Sequence, residues 1–178
     1  SIRGDDEISR LGSHFDNMAE QLSARNTELA HANQALRALS DANQAIVGAA
    51  SESRLAADIC RAVVEGGGYR MAWVGYVDDA TGLIRPAAMA GHVDGYLDAI
   101  RISTNGDVPE GQGAIGTTIR TGQAVVVQSI AQNPAFAPWR EAALRRGYAS
   151  MIALPLKRDG RSFGSLNIYS AEPEAFDA

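Results

Sequence analysis

From Ile8 to Ile46, apolar residues return on two series, each seven residues apart. One series runs Ile8, Phe15, Leu22, Leu29, Leu36 and Asn43; the other runs Leu11, Met18, Arg25, Ala32, Leu39 and Ile46. The offset between them alternates three and four. Together they form the a/d seam of a heptad repeat, with ten of the twelve positions apolar. The intervening residues are mainly charged, amide, serine and alanine, a solvated face. A helix over residues 6–47 would be roughly 60 Å long at about 1.5 Å per residue. The rest of the chain is too small to cover such a rod. The seam therefore predicts a second copy of the chain, in a parallel dimeric coiled coil. The alternative is an amphipathic helix packed on its own domain, which a repeat held at 3.5 rather than 3.6 disfavours. Asn43 at an a position costs stability but fixes register and selects two strands. Arg25 is the weaker point of the d series, where its stem can still cover apolar surface.

Composition narrows the function classes. The 178 residues suffice for one domain and an extension, not for two ordinary domains. Hydrophobic residues at 46% and charged residues at 21% are globular values. A net charge of -5 argues against a nucleic-acid binder. A single cysteine, Cys60, excludes an internal disulfide framework and a Cys-based zinc cage. No apolar run approaches the roughly 18–20 residues of a membrane span. The chain opens at Ser1 without methionine, which is read as the start of an excised piece.

After the rod the pattern changes. Residues 48–53, GAASES, break the heptads, and a helix is predicted from about 53 to 65 with Leu55, Ile59, Ala62 and Val63 as its apolar stripe. Gly66-Gly67-Gly68 ends it. Met71–Val77 and Leu83–Ala90 read as a β-hairpin around the turn 78–82. Tyr96–Ile102 is a short helix or an irregular connection, and 103–113 a loop. A helix over 114–120 is stopped by Gly122, and Ala124–Gln128 is a strand. Pro134–Gly147 reads as one helix, and Ser150–Leu156 and Phe163–Tyr169 as a closing hairpin. Strands in hairpins with helices between some of them predict an α+β fold built on an antiparallel sheet.

Two stretches resemble known families. Gly4-Asp5-Asp6-Glu7-Ile8-Ser9-Arg10-Leu11, followed by Phe15-Asp16-Asn17-Met18-Ala19, resembles the second helix of a HAMP linker, with Ser9 and Asp16 in place of that family's usual Gly and Asn. Residues from about 40 onward resemble a GAF domain of the kind found in bacterial sensor histidine kinases and in diguanylate cyclases and phosphodiesterases. The motifs are Leu39-Ser40 with Asn43-Gln44-Ala45-Ile46, Met71-Ala72-Trp73-Val74-Gly75-Tyr76, Gly116-Thr117-Thr118-Ile119-Arg120-Thr121-Gly122, Trp139-Arg140-Glu141-Ala142-Ala143-Leu144, Ala153-Leu154-Pro155-Leu156 and Phe163-Gly164-Ser165-Leu166-Asn167-Ile168-Tyr169. The resemblance implies three parts: a HAMP exit helix over 1–22, a coiled-coil signalling helix over 23–50 and a GAF domain over 51–178. It implies an antiparallel sheet with helices on both faces, a ligand pocket on one face and a dimer bundle on the other. It further implies a cytoplasmic segment, a membrane-anchored sensor upstream, and an output domain after one more helix beyond Phe176.

Chemistry is sparse. Gly111-Gln112-Gly113-Ala114-Ile115-Gly116 matches G-x-G-x-x-G letter for letter, but a dinucleotide site needs a strand before it and a βαβ unit around it. A polar loop with Pro109 stands there instead, so glycines turning tightly into a short helix are the simpler reading. An anion on that helix N-terminus stays open. None of His14, His31 and His92 has a partner at metal spacing, so no metal is expected; haem ligation by His92, known in some GAF domains, lacks a supporting motif. Cys60 reads as a small buried hydrophobe, and alone it excludes the disulfide cycle of a GAF-type methionine sulfoxide reductase. No catalytic residue is assigned and no cofactor is identified. The candidate ligand contacts are Trp73, Trp139, Arg140, Leu154 and Asn167. For both tryptophans, core packing and pocket lining stay open. The expected function is a sensory and transmission segment that binds an unidentified small molecule, with a ligand-free dimerisation spacer as the alternative.

Overall fold

The computed structural model describes residues 25–26 and 51–176. By its internal contacts the chain divides into Ser1–Ala50 and Ser51–Ala178. In the first unit residues 25 and 26 are helical and exposed. The HAMP-like segment, the coiled coil and the other seam residues lie outside the described residues.

The second unit opens with helix α1, residues 51–67. Gly68 ends it in the left-handed region, at φ +70°, and its N–H donates to Val64 O at 3.1 Å, a turn that glycine adopts without a Cβ penalty. The apolar stripe of α1 differs from the predicted one. Ala56 and Cys60 are buried, and Ala57, Val63 and Val64 pack beside them. Leu55 and Ile59 face outward at 60% and 39% exposure, and Ala62 is exposed. The buried side is thus turned by about one residue, or 100°. Small side chains at 56, 57 and 60 let the helix approach the sheet closely, which leucine and isoleucine would prevent.

Strand β1 (Met71–Val77) and strand β2 (Ile84–Gly91) form the first hairpin. Then come α2 (Tyr96–Ala99), a 3-10 turn at Pro109–Gly111, α3 (Ala114–Thr121) and β3 (Val125–Val127). The predicted single helix 134–147 is in fact two pieces, a 3-10 turn at Pro134–Phe136 and α4 (Arg140–Arg145). Pro134 and Pro138 each lack an N–H, and the Asn133 side chain accepts from Ala135 N at 2.9 Å, so the turn is capped as a separate unit. Strands β4 (Ser150–Arg158) and β5 (Arg161–Ser170) close the unit.

The five strands lie in the order β2-β1-β5-β4-β3, every neighbouring pair antiparallel. The last strand is therefore central. Alternation along the strands sends two apolar sets to opposite faces. Ala72, Val74, Leu166 and Ile168 belong to the face under α1. Met71, Trp73, Met151, Ala153 and Tyr169 belong to the other, packed with Tyr96 and Leu97 of α2, Ala114 and Ile115 of α3, and Ala143 of α4. This is the α+β architecture that the hairpins predict, with helices on both faces.

Candidate functional site

Trp73 sits mid-strand on the second face, 1% exposed. Its ring needs space that a neighbouring side chain would take. A Cβ at Gly75 would lie 2.5 Å from the Trp73 ring and 2.7 Å from Ile84 Cγ2. Glycine at 75 thus lets the indole lie along its own strand against Ile84. The β1–β2 register shifts between Val74 and Gly75, which sets Pro86 opposite Gly75. β2 is an edge strand, where a proline and a bulge are tolerated.

At this edge lies an open pocket of about 380 Å³, within the range of small-molecule sites. Trp73, Ile84 and Pro86 form its strand side, and Leu97, Ile100 and Ile102 its opposite wall, with Leu83, Arg85 and Arg101 completing the lining. The opposite wall runs from α2 into an irregular segment that two hydrogen bonds hold at its far end. Ile84 N donates to Ile102 O at 3.0 Å, and Trp139 Nε1 donates to Arg101 O at 2.8 Å. A second space, of about 10 Å³, is closed by Ile102, Ile115, Phe136, Trp139, Met151 and Tyr169. It is too small and too apolar for an ordered water. The interior beneath Trp139 is therefore filled by the protein's own side chains.

The five predicted contacts fall in different places. Trp73 lines the open pocket. Trp139 is a core residue, 6% exposed, that bounds the closed space and ties down the pocket wall. Arg140 serves the backbone, donating to Asn133 O at 2.7 Å and Ile130 O at 3.4 Å. Leu154 belongs to the face under α1, away from the pocket. Asn167 is directly opposite Trp73 on β5 and fully buried, and its Nδ2 approaches Trp73 O at 3.4 Å. Sequence reasoning missed the rest of the lining. The signal available was the pairing of arginine with isoleucine in Ile84-Arg85 and Ile100-Arg101-Ile102.

The same face buries several polar atoms. Ser165 Oγ and Asn167 Oδ1 are buried without a hydrogen-bond partner, while Trp73 Nε1 and Tyr96 Oη are buried beside the Tyr169 hydroxyl. Each unpartnered group costs about 1–3 kcal/mol. Burial also raises the phenol pKa values of Tyr96 and Tyr169 well above the ordinary range and pushes Tyr148 up to about 12. Tyr148 donates to His92 O, and the three rings pack edge to edge or tilted at 5.0–5.8 Å.

The glycine motif at 111–116 has a packing explanation. No strand precedes it; the 3-10 turn does. A Cβ at Gly111 would meet Asn105 O at 1.7 Å, one at Gly116 would meet Gly111 O at 2.4 Å, and one at Gly113 would meet the Trp139 ring at 2.4 Å. All three glycines make room for protein, not for a phosphate.

Trp139 yields a direct test. Trp139→Ala is expected to destabilise the chain by about 3–5 kcal/mol, the usual cost of emptying a buried tryptophan site. Trp139→Phe keeps most of the ring but loses the bond to Arg101 O and is expected to cost about 1–2 kcal/mol. Urea unfolding of both variants measures this; an alanine variant within 1 kcal/mol of the parent would place Trp139 outside the core.

The sequence pattern of the GAF domain family matches residues 49–178. The chain belongs to the GAF domain family, a family of small-ligand-binding signalling domains. No curated protein is significantly similar to it. Among solved structures it is similar to a free methionine-R-sulfoxide reductase from Neisseria meningitidis in complex with its substrate, at 25% identity and a TM-score of 0.57, covering 70% of this chain and 66% of that one. It is similar in fold to the GAF domain region of a putative membrane protein from Geobacter sulfurreducens PCA, at 17% identity and a TM-score of 0.60, covering 74% and 85%. A type II free methionine-R-sulfoxide reductase from Thermoplasma acidophilum shares the fold at 17% identity and a TM-score of 0.59, covering 72% and 80%.

Proposed function

We propose that this chain is a sensory and transmission segment of a bacterial signal-transduction protein, whose GAF domain binds a small molecule at the β1–β2 edge. The observation that carries the reading is the open pocket of about 380 Å³ at the sheet edge, floored by Trp73 and Ile84. In the proposed protein the HAMP-like helix and the heptad seam join two chains in parallel. Occupancy of the pocket biases one of two arrangements of that dimer, and the bias passes to an output domain, a histidine kinase or a cyclic-di-GMP enzyme. The segment works in the cytoplasm beneath a membrane-anchored sensor. Among the described residues no helix is long and apolar enough to cross a membrane.

The domain itself is proposed to be non-catalytic, although two of its structural neighbours are reductases. Cys60 is the single cysteine. It is buried on α1, against the opposite sheet face from Trp73, and burial raises its thiol pKa. An intramolecular disulfide cycle needs a second, accessible thiol.

The filled interior beneath Trp139 favours a second reading, a ligand-free dimerisation spacer. Two measurements on the 178-residue chain separate the possibilities. Light scattering at micromolar concentration is expected to give twice the 18.8 kDa chain mass; one chain mass would end the dimer proposal. A thermal-shift screen of small metabolites is expected to find compounds that raise the melting temperature in proportion to ln(1 + [L]/Kd). Failure of every compound would leave the spacer.

A further inference from the structure

Two spaces in the domain meet at one residue. Ile102 borders the open pocket beside Trp73 and also the closed apolar space beneath Trp139, and no other residue borders both. It is 6% exposed and packs in the core of that face. Ile102 is thus the partition between the two. Its backbone is held on each side. Ile84 N donates to Ile102 O at 3.0 Å and Ser103 N to Glu110 O at 3.0 Å. Trp139 Nε1 donates to Arg101 O at 2.8 Å, and Ser103 is bridged to Leu83. A β-branched side chain on a fixed backbone has few rotamers to move to. The partition is therefore a wall and not a hinged flap.

The open side offers a ligand apolar surface. Trp73, Ile84 and Pro86 stand on the strand side, with Leu97, Ile100 and Ile102 opposite. Arg85 also borders the space, but the register sets it opposite Tyr76, on the sheet face under α1, and its Nε donates to Asp78 Oδ2 at 2.9 Å. Arg101 is exposed and is held through its carbonyl. The Trp73 N–H is buried beside the Tyr169 hydroxyl. Among the described residues no charged group is thus placed to meet a ligand, and an ion entering the pocket would give up hydration without gaining a partner. At about 380 Å³ the pocket lies at the small end of ligand sites.

We infer that the pocket takes a compact, uncharged, mainly apolar ligand, and that Ile102 sets the depth this ligand can reach. This rests on the ligand-binding reading of the same pocket and adds the chemical class and a specificity-determining residue. Beyond Ile102 a ligand would meet Ile115, Phe136, Trp139 and Met151, the same apolar chemistry as in front of it. Depth, and not polarity, is therefore what the partition selects. Trimming isoleucine to alanine removes the branched end of the side chain and joins the two spaces.

The test uses the 178-residue chain and three fluorinated probes: 4-fluorotoluene, 1-butyl-4-fluorobenzene and 4-fluorobenzoate. Binding is read from the fluorine NMR line width. The toluene is expected to bind about fivefold or more tightly than the benzoate, because an apolar site penalises the charge. In the parent chain the butyl probe should gain less than about threefold over the toluene, since its tail stops at Ile102 or turns back to water. In Ile102→Ala that gain should rise to about tenfold or more, as the extra methylenes leave water. Ile102→Val, a milder change, should give an intermediate gain, and it decides the matter if the alanine variant does not fold. Ile115→Ala frees similar space behind the partition and should keep the parent ratio. Circular dichroism reports which variants are folded. No added gain in a folded Ile102 variant, or an equal gain in Ile115→Ala, would overturn the role of Ile102. Benzoate binding as tightly as the toluene would overturn the uncharged class and leave a ligand site of another kind. Absence of binding by all three probes at their solubility limits would overturn the ligand site itself.

Discussion

Gly111→Ala is expected to destabilise the domain by about 3 kcal/mol or more, beyond the usual range for one methyl group. The added Cβ would stand 1.7 Å from Asn105 O and 2.5 Å from Asn105 C. Both are backbone atoms, so no rotamer change relieves the clash. The segment cannot move freely either. Ser103 N donates to Glu110 O at 3.0 Å, and the Arg120 guanidinium bonds Gly111 O at 2.5 Å and Thr104 O at 3.2 Å. Gly66→Ala is the matched control, since its Cβ meets nothing within 4 Å; on α1 it should stabilise by about 0.5–1 kcal/mol. Chemical unfolding of both variants tests the pair. A Gly111→Ala protein as stable as the parent would mean that the loop 103–111 packs differently.

The second large effect is alkaline unfolding. Desolvation raises the phenol pKa values of Tyr96, Tyr148 and Tyr169 in the folded chain. In the unfolded chain each titrates near 10. Above that pH the unfolded state has released protons that the folded state still holds. Stability is therefore fully present below about pH 10 and is lost as the pH rises toward the folded values. Each tyrosine contributes about 1.4 kcal/mol per pH unit in that window. Three together reach about 4 kcal/mol by pH 11, a large part of a typical stability of 5–15 kcal/mol. Lys157 is the single lysine, and arginine does not titrate there, so other cations add little. Tyr96→Phe should raise the alkaline midpoint, because it removes one such phenol. Ultraviolet absorbance of tyrosinate, followed beside circular dichroism, checks this. If all five tyrosines ionised near pH 10 with the fold intact, the burial of these hydroxyls would be wrong.

Much of the fold was legible along the chain. β1 begins and ends where its apolar, aromatic run does, at Met71 and Val77. α3 stops where Gly122 adopts φ +67°. These features depend on a few adjacent residues, so local chemistry is enough. The segment 134–147 was harder. Trp139, Ala142, Ala143 and Leu144 fit a helical spacing, but the prolines and the Asn133 cap divide it. The buried side of α1 differs from its hydrophobic pattern for another reason. Hydrophobicity favours Leu55 and Ile59, whereas close approach to the sheet favours Ala56 and Cys60, and only the distance between two packed layers decides between them.

The candidate site divides in the same way. By itself the sequence determines that the domain has an antiparallel sheet, that Trp73 lies mid-strand, and that a single cysteine leaves no intramolecular pair. It cannot show that Arg85 and Arg101, sixteen residues apart, line one pocket, or that Leu154 faces away from it. It cannot show that Trp139 fills the interior while holding the wall beside Trp73. Those facts follow from β5 entering the middle of the sheet and from the shifted register at Gly75 and Pro86. Strand order and register are set by the packing of the whole sheet, and a change of one residue in register would send every side chain of a strand to the other face.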